Sequence, residues 1–313
     1  MAASIHDVHP ERFHYGWDNS LEPALTVASG EVVQLHARDA SDEQLGPSST
    51  VADVAAMDFG HVNPVSGPVH VEGAAPGDVL AVEILELSQP TWGWTAIIPG
   101  FGLLADEYPE PWLRISTVEG DRIRFSDDVT LPLRPFPGTL GVALPEPGVH
   151  SVVPPSRFGG NLDVKHLNPG ATLYLPVGVE GALFSLGDTH AAQGDGEVCG
   201  TAIETTMDVT VRLTVRKDLH VEAPQVDLPR GLVADQSTSA YHVCTGVGPD
   251  LLEASRDAVR AGIAWLGDTR GLDREEAYAL LSVAGDLRID EVVDAPNWVV
   301  GMFVPLAIFD PQG

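Results

Sequence analysis

Proline and glycine recur through the first 230 residues and leave little room there for long helices. The 313-residue chain contains 32 Gly and 25 Pro, spread as turn punctuation rather than gathered in one linker. Because proline removes a helical N–H and both residues mark turns, the segments between them are predicted to be short strands. These alternating or β-branched segments are 24–27, 31–37, 69–71, 78–87, 122–125, 172–177, 182–186 and 207–215. Turn-bounded strands at this spacing favour a β-sandwich or barrel.

Helical patterns occur only late in the chain. Residues 249–267 place apolar side chains near one face, with a proline in the first turn and a glycine at the exit. A second helix is predicted to begin at Asp273, which forms a pattern like a capping box with Glu276, and to end at Gly285. Residues 298–309 predict a strand that returns to the sheet. The C-terminal portion is therefore predicted to be α+β.

These patterns divide the chain into three regions. An N-terminal β-sandwich region is expected over 1–155, a β region that carries the densest polar motif over 156–230, and an α+β region over 231–313. No internal repeat interrupts this order. The fold class predicted from the residues is mainly β with an α+β C-terminal portion.

The charge balance excludes several classes of partner. Lys and Arg number 17 against 45 Asp and Glu, which gives a net charge of −28. Nucleic acids and anionic membrane surfaces both require clustered basic residues, so neither is expected as a partner. No apolar segment is long enough for a spanning helix and no signal peptide is expected. The two cysteines fit a reducing cytosol, and a cytoplasmic location is predicted. The acidity fits either simple solubility or a halophilic source.

The densest polar cluster lies at 185–204. Asp188 and His190 are two residues apart, so both side chains point to one face if a strand ends there. Gly194 and Gly196 allow a tight turn that returns Glu197 toward this pair. An imidazole with carboxylates is typical of a divalent-metal site, with Zn²⁺ favoured and Ca²⁺ possible through the acidic loops. The alternative is an acidic, glycine-rich surface loop with an incidental histidine. The polar candidates in this segment are Asp188, His190, Gln193, Asp195, Glu197, Cys199 and Glu204.

Two further clusters are weaker candidates. The first combines Asp163, Lys165 and His166, and its alternative interpretation is a turn with a solvated charge. The second spans 38–58, and its acidic residues are equally typical of surface positions or helix caps; it contains Asp39, Asp42, Gln44, Asp53 and Asp58. Cys199 is either a nucleophile or, more commonly for a cysteine in an apolar segment, a small core residue. The chain has no G-x-S-x-G motif, phosphate loop or H-E-x-x-H motif.

Long segments of the chain resemble the acetamidase/formamidase family of amidohydrolases. The most specific are GPVHVEGAAPGD (67–78) and GDTHAAQGDGEVCG (187–200), and others are HYGWDNS, RDASDEQ, GGNLDVKHL and EEAYALLSVAGDLRI. The segment NLDVKHL and the compact C-terminus are similar to the acetamidase-type branch. The resemblance implies a jelly-roll-like β-sandwich with an α+β C-terminal portion, a bound metal ion, a homo-oligomer (dimer or higher), and hydrolysis of a small amide such as acetamide or formamide.

Amide hydrolysis requires an activated water, a stabilised oxyanion and a proton for the departing amine. Zn²⁺ can lower the pKa of a water and polarise the carbonyl, while a carboxylate can carry the proton. We therefore expect Asp188 and His190 to bind the metal and Glu197 to act first as general base and then as general acid. The further metal candidates are Asp163, Glu204, Asp39 and Asp53, and the last two could instead complete a second site.

The remaining roles are left open by the sequence. The oxyanion is assigned either to the backbone N–H groups of 194–197 or to Asn161. Lys165 is a catalytic candidate whose role the pattern does not define. Two alternative functions also fit: hydrolysis of a cyclic or larger amide, as by a γ-lactamase, and a non-catalytic β-sandwich that binds Ca²⁺ or a small ligand. Four aromatic residues could shape the pocket for a larger amide or be ordinary core, and these are Trp92, Trp94, Phe101 and Trp112.

Overall fold

Two packed β-sheets form the framework of the first 227 residues. The computed structural model describes residues 5–221, 224–227, 241–291 and 298–309. Within these residues the first sheet has six strands, and only its edge pair, Ile5–Asp7 with Glu31–Ala37, is parallel. Its strand order is Ile5–Asp7, Glu31–Ala37, Met207–Arg216, Val79–Leu87, Thr172–Pro176 and Gln225–Asp227.

The second sheet has eleven strands within the same residues. The main path runs in the order Thr130–Pro132, Arg122–Arg124, Trp112–Glu119, Trp92–Ile97, Glu204–Thr205, Phe184–His190, Phe136–Val142 and Gly159–Asn161. Strand Val65–Val71 also pairs with Phe184–His190, and in turn pairs with Phe13–His14 and Leu25–Val27. Two short strands, Gly16–Trp17 and His150–Ser151, form a separate pair. Strands from both sides of residue 155 share each large sheet, and the proposed division at that residue stays a prediction.

Alternation along the strands explains how the sheets pack. In Met207–Arg216 the side chains of Met207, Val209, Val211 and Leu213 are buried while their neighbours are partly exposed. Strands with period 2 bury one face against another sheet. These side chains, except Met207, form a core with apolar residues of both sheets, including Val33, Leu35, Leu80, Val82, Phe136, Leu140, Phe184 and Leu186. The predicted mainly β sandwich is confirmed.

The start of one strand differs from the prediction in a way that affects the polar cluster. The segment 182–186 was expected to be extended, but Ala182 and Leu183 have φ of 60° and 56°, in the left-handed region. The strand therefore begins at Phe184 and continues to His190. This longer strand carries both Asp188 and His190.

The C-terminal portion is α+β, as predicted, with shifted boundaries. The first helix spans Leu251–Arg270, is capped by Asp250, and passes through Gly267 to end at Gly271, whose φ of 70° is left-handed. The second spans Arg274–Ala284 and begins at the predicted cap, Asp273, which accepts a hydrogen bond from the Glu276 N–H. Strands Tyr241–Gly248, Trp298–Pro305 and Asp286–Glu291 form a third antiparallel sheet. The last segment ends as a 3₁₀ turn, Leu306–Phe309, rather than as a strand.

The C-terminal portion packs against the far end of the eleven-stranded sheet. Apolar residues of the two helices join Ile97, Ile123 and Leu131 of the sheet in one core, and residues of the segment 191–203 lie within it. The polar cluster therefore sits where the sandwich meets the C-terminal portion. Two short helices, Val51–Ala56 and the 3₁₀ turn Phe59–His61, lie in the segment that follows the strand Glu31–Ala37. Among the described residues, no helix is long and apolar enough to cross a membrane.

Candidate active site

His190 is the centre of the buried polar cluster. It ends the strand Phe184–His190 and lies directly opposite Glu204 in the neighbouring strand. Residues opposite one another across strands bring their side chains together. The His190 Nε2 atom lies 3.2 Å from Asp188 Oδ1 and 3.1 Å from Glu204 Oε2. All three residues are buried.

Gln193 orients the imidazole. Its Nε2 donates to the backbone carbonyl of Asp163 at 3.1 Å, which fixes its Oε1 toward His190 Nδ1 at 2.9 Å. An amide oxygen only accepts, so Nδ1 carries the ring proton. The Nε2 lone pair of a neutral His190 then faces Asp188 and Glu204. Histidines that bind metals are commonly oriented in this way through their second nitrogen.

Asp163 and Glu197 complete the cluster on the other side of the ring. Asp163 Oδ1 lies 3.9 Å from His190 Nδ1. Within the described residues two groups are close enough to hold a cation, Asp188–His190–Glu204 and Asp163–His190–Glu197. Because Gln193 occupies Nδ1, the first group presents the free imidazole nitrogen and is the better metal site.

The backbone at three of these carboxylates is in the left-handed region. The φ angles are 49° at Asp163, 54° at Asp188 and 40° at Glu197. Such conformations are uncommon for residues other than glycine and are concentrated at functional sites. Three such conformations at carboxylates of one cluster mark it as a candidate functional site.

The floor of the cluster is a glycine, and two carboxylate oxygens lack partners. A Cβ at Gly138 would lie 2.7 Å from both Asp163 Oδ1 and His190 Cε1, and 2.9 Å from Asp188 Oδ2. Among the described residues, Glu204 Oε2 and Asp163 Oδ1 are buried without a hydrogen-bond partner. A space closed to any side chain, lined by one imidazole and several carboxylate oxygens, fits a divalent cation.

Burial and crowded negative charge shift the acid–base behaviour of the cluster. Burial and then the charge of Asp188 raise the pKa of Asp163 to about 7. Burial also raises the pKa of Glu204 to about 7, because burial and the charge of Asp188 outweigh the opposing charge of His190. Burial and then Asp163 raise the pKa of Glu197 well above its usual value. Burial alone would raise the pKa of Asp188, but the charge of His190, together with hydrogen bonds to His190, Glu204 and Thr139, outweighs burial and lowers that pKa.

His190 is the only basic group among these carboxylates, and they favour its protonation. Burial lowers the pKa of His190, but the charges of Glu204 and Asp188 outweigh burial, so the pKa is raised well above 6.5. A metal ion binds only the deprotonated ring nitrogen, so binding would displace the Nε2 proton.

A cavity of about 330 Å³ opens onto the cluster. Asp188, Glu197, Glu204 and Asn161 line its polar end. Its other walls are largely apolar and include Met57, Phe59, Val62, Trp94, Ile98, Phe101 and Val153. Of the four predicted aromatic residues, Trp94 and Phe101 therefore line the cavity. Trp92 and Trp112 pack against hydrophobic clusters instead.

Asp39 and Asp53 lie outside both possible metal groups. Asp39 is buried and accepts hydrogen bonds from the Ser41 N–H at 2.8 Å and from Trp94 Nε1 at 3.1 Å. Asp53 accepts from the backbone N–H of Thr50 at 2.6 Å and caps the helix Val51–Ala56. Their carboxylates take part in turn and cap structure, and their role as metal ligands stays a prediction.

Lys165 and Asp195 belong to a second charged cluster. Lys165 Nζ contacts Asp286 and lies 3.2 Å from Asp195 Oδ1. The backbone N–H of Asp195 donates to Asp286 Oδ1 at 3.1 Å. Arg288 also pairs with Asp286 at 2.6 Å. His166, which follows Lys165, lies outside both possible metal groups.

The structure also bears on the predicted nucleophile and on the two predicted oxyanion sites. Cys199 is fully buried, and burial raises its thiol pKa to about 11, which disfavours the nucleophilic thiolate. The backbone N–H groups of Gly194, Asp195 and Glu197 already donate to other groups. Asn161 is thus the better of the two oxyanion candidates, because it lines the cavity with a side-chain amide.

Sequence reasoning missed three neutral residues of the site: Gly138, Thr139 and Asn63. Gly138 and Thr139 follow one another in the strand Phe136–Val142, beside Asp188 and Asn161. Asn63 lines the cavity and has a left-handed φ of 53°. None carries a charge, so a search for acids, bases and ligands passes over them. The Asn63-Pro64 pair, a turn signal in the sequence, was the available clue.

The chain is similar to known proteins over almost its whole length. A family model described as the acetamidase/formamidase family matches residues 3–151 and 146–311. A formamidase of Methylophilus methylotrophus is 27% identical over 373 residues, which cover 96% of this chain and 90% of that protein.

Two solved structures are similar to the whole chain. A gamma lactamase from Delftia acidovorans superposes with a TM-score of 0.88 at 25% identity, over 96% of this chain and 90% of that one. An acetamidase from Bacillus halodurans has a TM-score of 0.68 at 32% identity, over 99% of this chain and all of the other. Sequence identity is thus higher to the acetamidase and structural similarity to the gamma lactamase.

Proposed function

The chain belongs to the acetamidase/formamidase family, and from this premise we propose that it hydrolyses a small aliphatic amide to a carboxylate and ammonia. The observation that supports the proposal is that a possible metal site and a cavity meet at the same place. A cluster of four carboxylates around one imidazole meets a cavity in which Glu197 and a carboxamide side chain face the same space.

Asp188, His190 and Glu204 would hold the divalent cation. Gln193 keeps the His190 ring in the required tautomer through the hydrogen bond to Nδ1. A cation held there supplies positive charge that polarises an amide carbonyl and lowers the pKa of a nearby water. Asp163 is then free to act on Glu197, whose pKa it raises together with burial.

Glu197 carries the proton in this mechanism. Its carboxylate takes a proton from water as the water oxygen forms a bond to the amide carbon and the C=O π electrons move to oxygen. The resulting carboxylic acid then gives that proton to the amide nitrogen, the C–N bond breaks, and ammonia leaves. A raised pKa makes the Glu197 carboxylate a stronger base toward water, which favours the first of the two transfers.

Asn161 stabilises the negative charge that develops on the carbonyl oxygen. Its Oδ1 accepts a hydrogen bond from Thr139 Oγ1 at 2.5 Å, which leaves the amide N–H₂ for the cavity. A fixed N–H donor aimed at a developing oxyanion contributes strongly to acyl-transfer rates.

Ammonia release from purified protein tests the proposal. The substrates are formamide, acetamide, propionamide and a γ-lactam, each measured as isolated, after exhaustive chelation, and after zinc is added back; opening of the lactam is followed by its amino-acid product. Release that disappears on chelation and returns with zinc is expected. Release that is indifferent to metal removal would contradict the metal-dependent mechanism, and no turnover of any substrate would contradict the activity itself.

A larger or cyclic amide is the second candidate substrate. The cavity of about 330 Å³ greatly exceeds the volume of acetamide, and Phe59, Trp94 and Phe101 give it an apolar wall. Apolar walls favour a substrate with an apolar body. The same panel distinguishes the candidates, because kcat/KM would then rise from acetamide through propionamide to the lactam.

We further propose zinc as the metal, a cytoplasmic location and a homo-oligomer of two or more chains. The imidazole nitrogen in the ligand group favours zinc over calcium. Both cysteines are free and buried, which fits a reducing compartment. Metal analysis of protein purified without chelators and light scattering coupled to size-exclusion chromatography test the metal and the assembly directly.

A further inference from the structure

Asn63 has a buried side-chain oxygen without a partner. The residue is 7% exposed, lines the cavity, and its backbone N–H donates to the Ala40 carbonyl at 2.7 Å. Among the residues that the structure describes, no hydrogen bond reaches its Oδ1. Buried polar atoms are nearly always hydrogen-bonded in native proteins, so an exception beside a cavity indicates that a bound group completes it.

The neighbouring hydrogen bonds fix which end of the Asn63 amide is free. Thr139 Oγ1 donates its single proton toward Asn161 Oδ1 at 2.5 Å and Asp188 Oδ2 at 3.3 Å. A hydroxyl that has given its proton away can only accept from a third neighbour. Asn63 Nδ2, 3.5 Å from Thr139 Oγ1, is therefore the donor in that contact, and the carbonyl oxygen of Asn63 is the unused atom.

The same chain of hydrogen bonds leaves the opposite atom of Asn161 unused. Its oxygen is taken by Thr139, so its N–H₂ is the available group at the cavity. The two asparagines thus offer one acceptor and one donor to whatever binds there. A carboxamide presents the complementary pair, a carbonyl oxygen and an N–H, whereas an ester or a carboxylate has no N–H.

We propose that Asn63 is the residue that selects carboxamides, by accepting a hydrogen bond from the substrate N–H. The inference rests on the proposed function and names the group that distinguishes an amide from the ester of the same acid. A site built to hydrogen-bond an N–H discriminates against an analogue that lacks it, because its buried acceptor stays unpaired.

The experiment compares one amide with its matching ester in the metal-loaded enzyme. The rates for propionamide and methyl propionate are measured for the wild type and for Asn63→Gly. Glycine tolerates the left-handed backbone at this position, so the substitution removes the side chain without new backbone strain. Because esters are intrinsically more reactive, the change in the amide-to-ester ratio of kcat/KM is the informative quantity.

We expect Asn63→Gly to lower kcat/KM for propionamide by about 10- to 100-fold and for methyl propionate by less than about threefold. Val62→Ala is the matched control, since it alters an apolar wall residue next to Asn63 and changes both substrates by a similar factor. Should the glycine variant fold poorly, Asn63→Asp keeps an acceptor oxygen and the left-handed preference, and is expected to retain most of the ratio.

Equal losses on both substrates, or no loss on either, would overturn the assignment of Asn63. Those outcomes leave the proposed function standing, because the wild type would still release ammonia. A wild type that turns over neither propionamide nor any other amide would overturn the proposed function, and this inference with it.

Discussion

Two charged clusters lie close together in this molecule, and their charge balance differs. Around His190, four carboxylates face a single imidazole: Asp163, Asp188, Glu197 and Glu204. Around Lys165, the carboxylates of Asp195 and Asp286 meet Lys165 and Arg288, so acids and bases are equal in number. The first cluster opens to the cavity, while the second joins the turn at residue 195 to the strand Asp286–Glu291.

The difference in charge balance distinguishes a cluster that requires a bound cation or protons from a cluster whose acids already have basic partners. Buried carboxylates without enough positive partners must bind protons or a cation, and the raised pKa values of Asp163, Glu197 and Glu204 express that need. The second cluster pairs its two acids with two bases, although burial and then the charge of Asp286 still raise the pKa of Asp195. Burial raises the pKa of Asp286, but Lys165 outweighs it and the pKa is lowered. An excess of buried acid therefore marks the functional cluster, and balance marks the structural one.

The largest expected effect is the loss of kcat in a Glu197 variant, which tests whether the His190 cluster is the functional one. Glu197→Gln keeps the shape but cannot carry a proton, so kcat should fall about 10³-fold, within the range usual for loss of a general acid–base group. Bound metal and Tm should stay near the wild-type values, and Glu180→Gln, at an exposed position, is the control. A folded, metal-loaded Gln variant with near-normal kcat would remove Glu197 from the mechanism.

Cation binding should stabilise the His190 cluster and leave the Lys165 cluster unaffected. At a zinc concentration 100 times its dissociation constant, linkage gives about 2.7 kcal/mol of added stability, seen as a rise in Tm. Asp188→Asn should abolish most of this rise, whereas Asp195→Asn, in the balanced cluster, should preserve it. A zinc-induced rise in Tm that survives Asp188→Asn would place the cation elsewhere.

Variants of Lys165 test whether the second, charge-balanced cluster is only structural, because the sequence makes Lys165 a catalytic candidate. If it only holds Asp195 and Asp286, then Lys165→Arg keeps the positive charge and should retain kcat within about threefold. Lys165→Met leaves the carboxylates of Asp195 and Asp286 with one cation, Arg288, and should lower kcat about tenfold and lower Tm, because the turn that carries Glu197 loosens. Arginine cannot transfer protons at neutral pH, so a large loss in the Arg variant would instead indicate proton transfer by Lys165.

The sequence predicted the fold and the centre of the site from local patterns. Alternation and turn residues gave the strands, and the D-x-H spacing at a strand end gave Asp188 and His190. The predicted helix ends were less accurate. Both Gly267 and Gly271 are plausible helix ends in the sequence, and only the left-handed φ of Gly271 in the structure identifies it as the cap. Asp53 shows the same limit for acids: a carboxylate that caps a helix is indistinguishable in sequence from one that binds a metal.

The neutral part of the site depends on pairing between distant strands. Thr139 meets Asn161 and Gly187 through sheet register, across separations of 22 and 48 residues. No spacing within the chain encodes these contacts, because register is decided when whole strands pack. Gly138 is required only because three charged side chains converge above it. Residues of this kind become visible once the charged residues have been placed in space.

A second imidazole–carboxylate group, at His36, shows what exposure does to the same chemistry as at His190, and its expected effect is the smallest. His36 lies between Asp208 at 2.6 Å and Asp7 at 2.9 Å, as His190 lies between Asp188 and Glu204, but the side chains of Asp208 and Asp7 are 45% and 60% exposed. Burial lowers the pKa of His36, yet the hydrogen bonds to Asp208 and Asp7 outweigh it and raise the pKa. A raised pKa in the folded state stabilises the protein fully below pH 6.5, the ordinary value, and this stabilisation disappears as the pH rises through the raised value.

His36→Gln should therefore lower the free energy of unfolding by about 0.5 kcal/mol at pH 5.5 and by much less at pH 9, since exposed ion pairs are screened. Urea denaturation at both pH values, at low salt and in 0.5 M NaCl, measures the difference, and salt should reduce the effect at pH 5.5. An equal loss at both pH values would mean that His36 acts through packing. A loss of several kcal/mol confined to pH 5.5 would contradict this expectation. The partly exposed His36 would then interact with its carboxylates as strongly as a buried imidazole does.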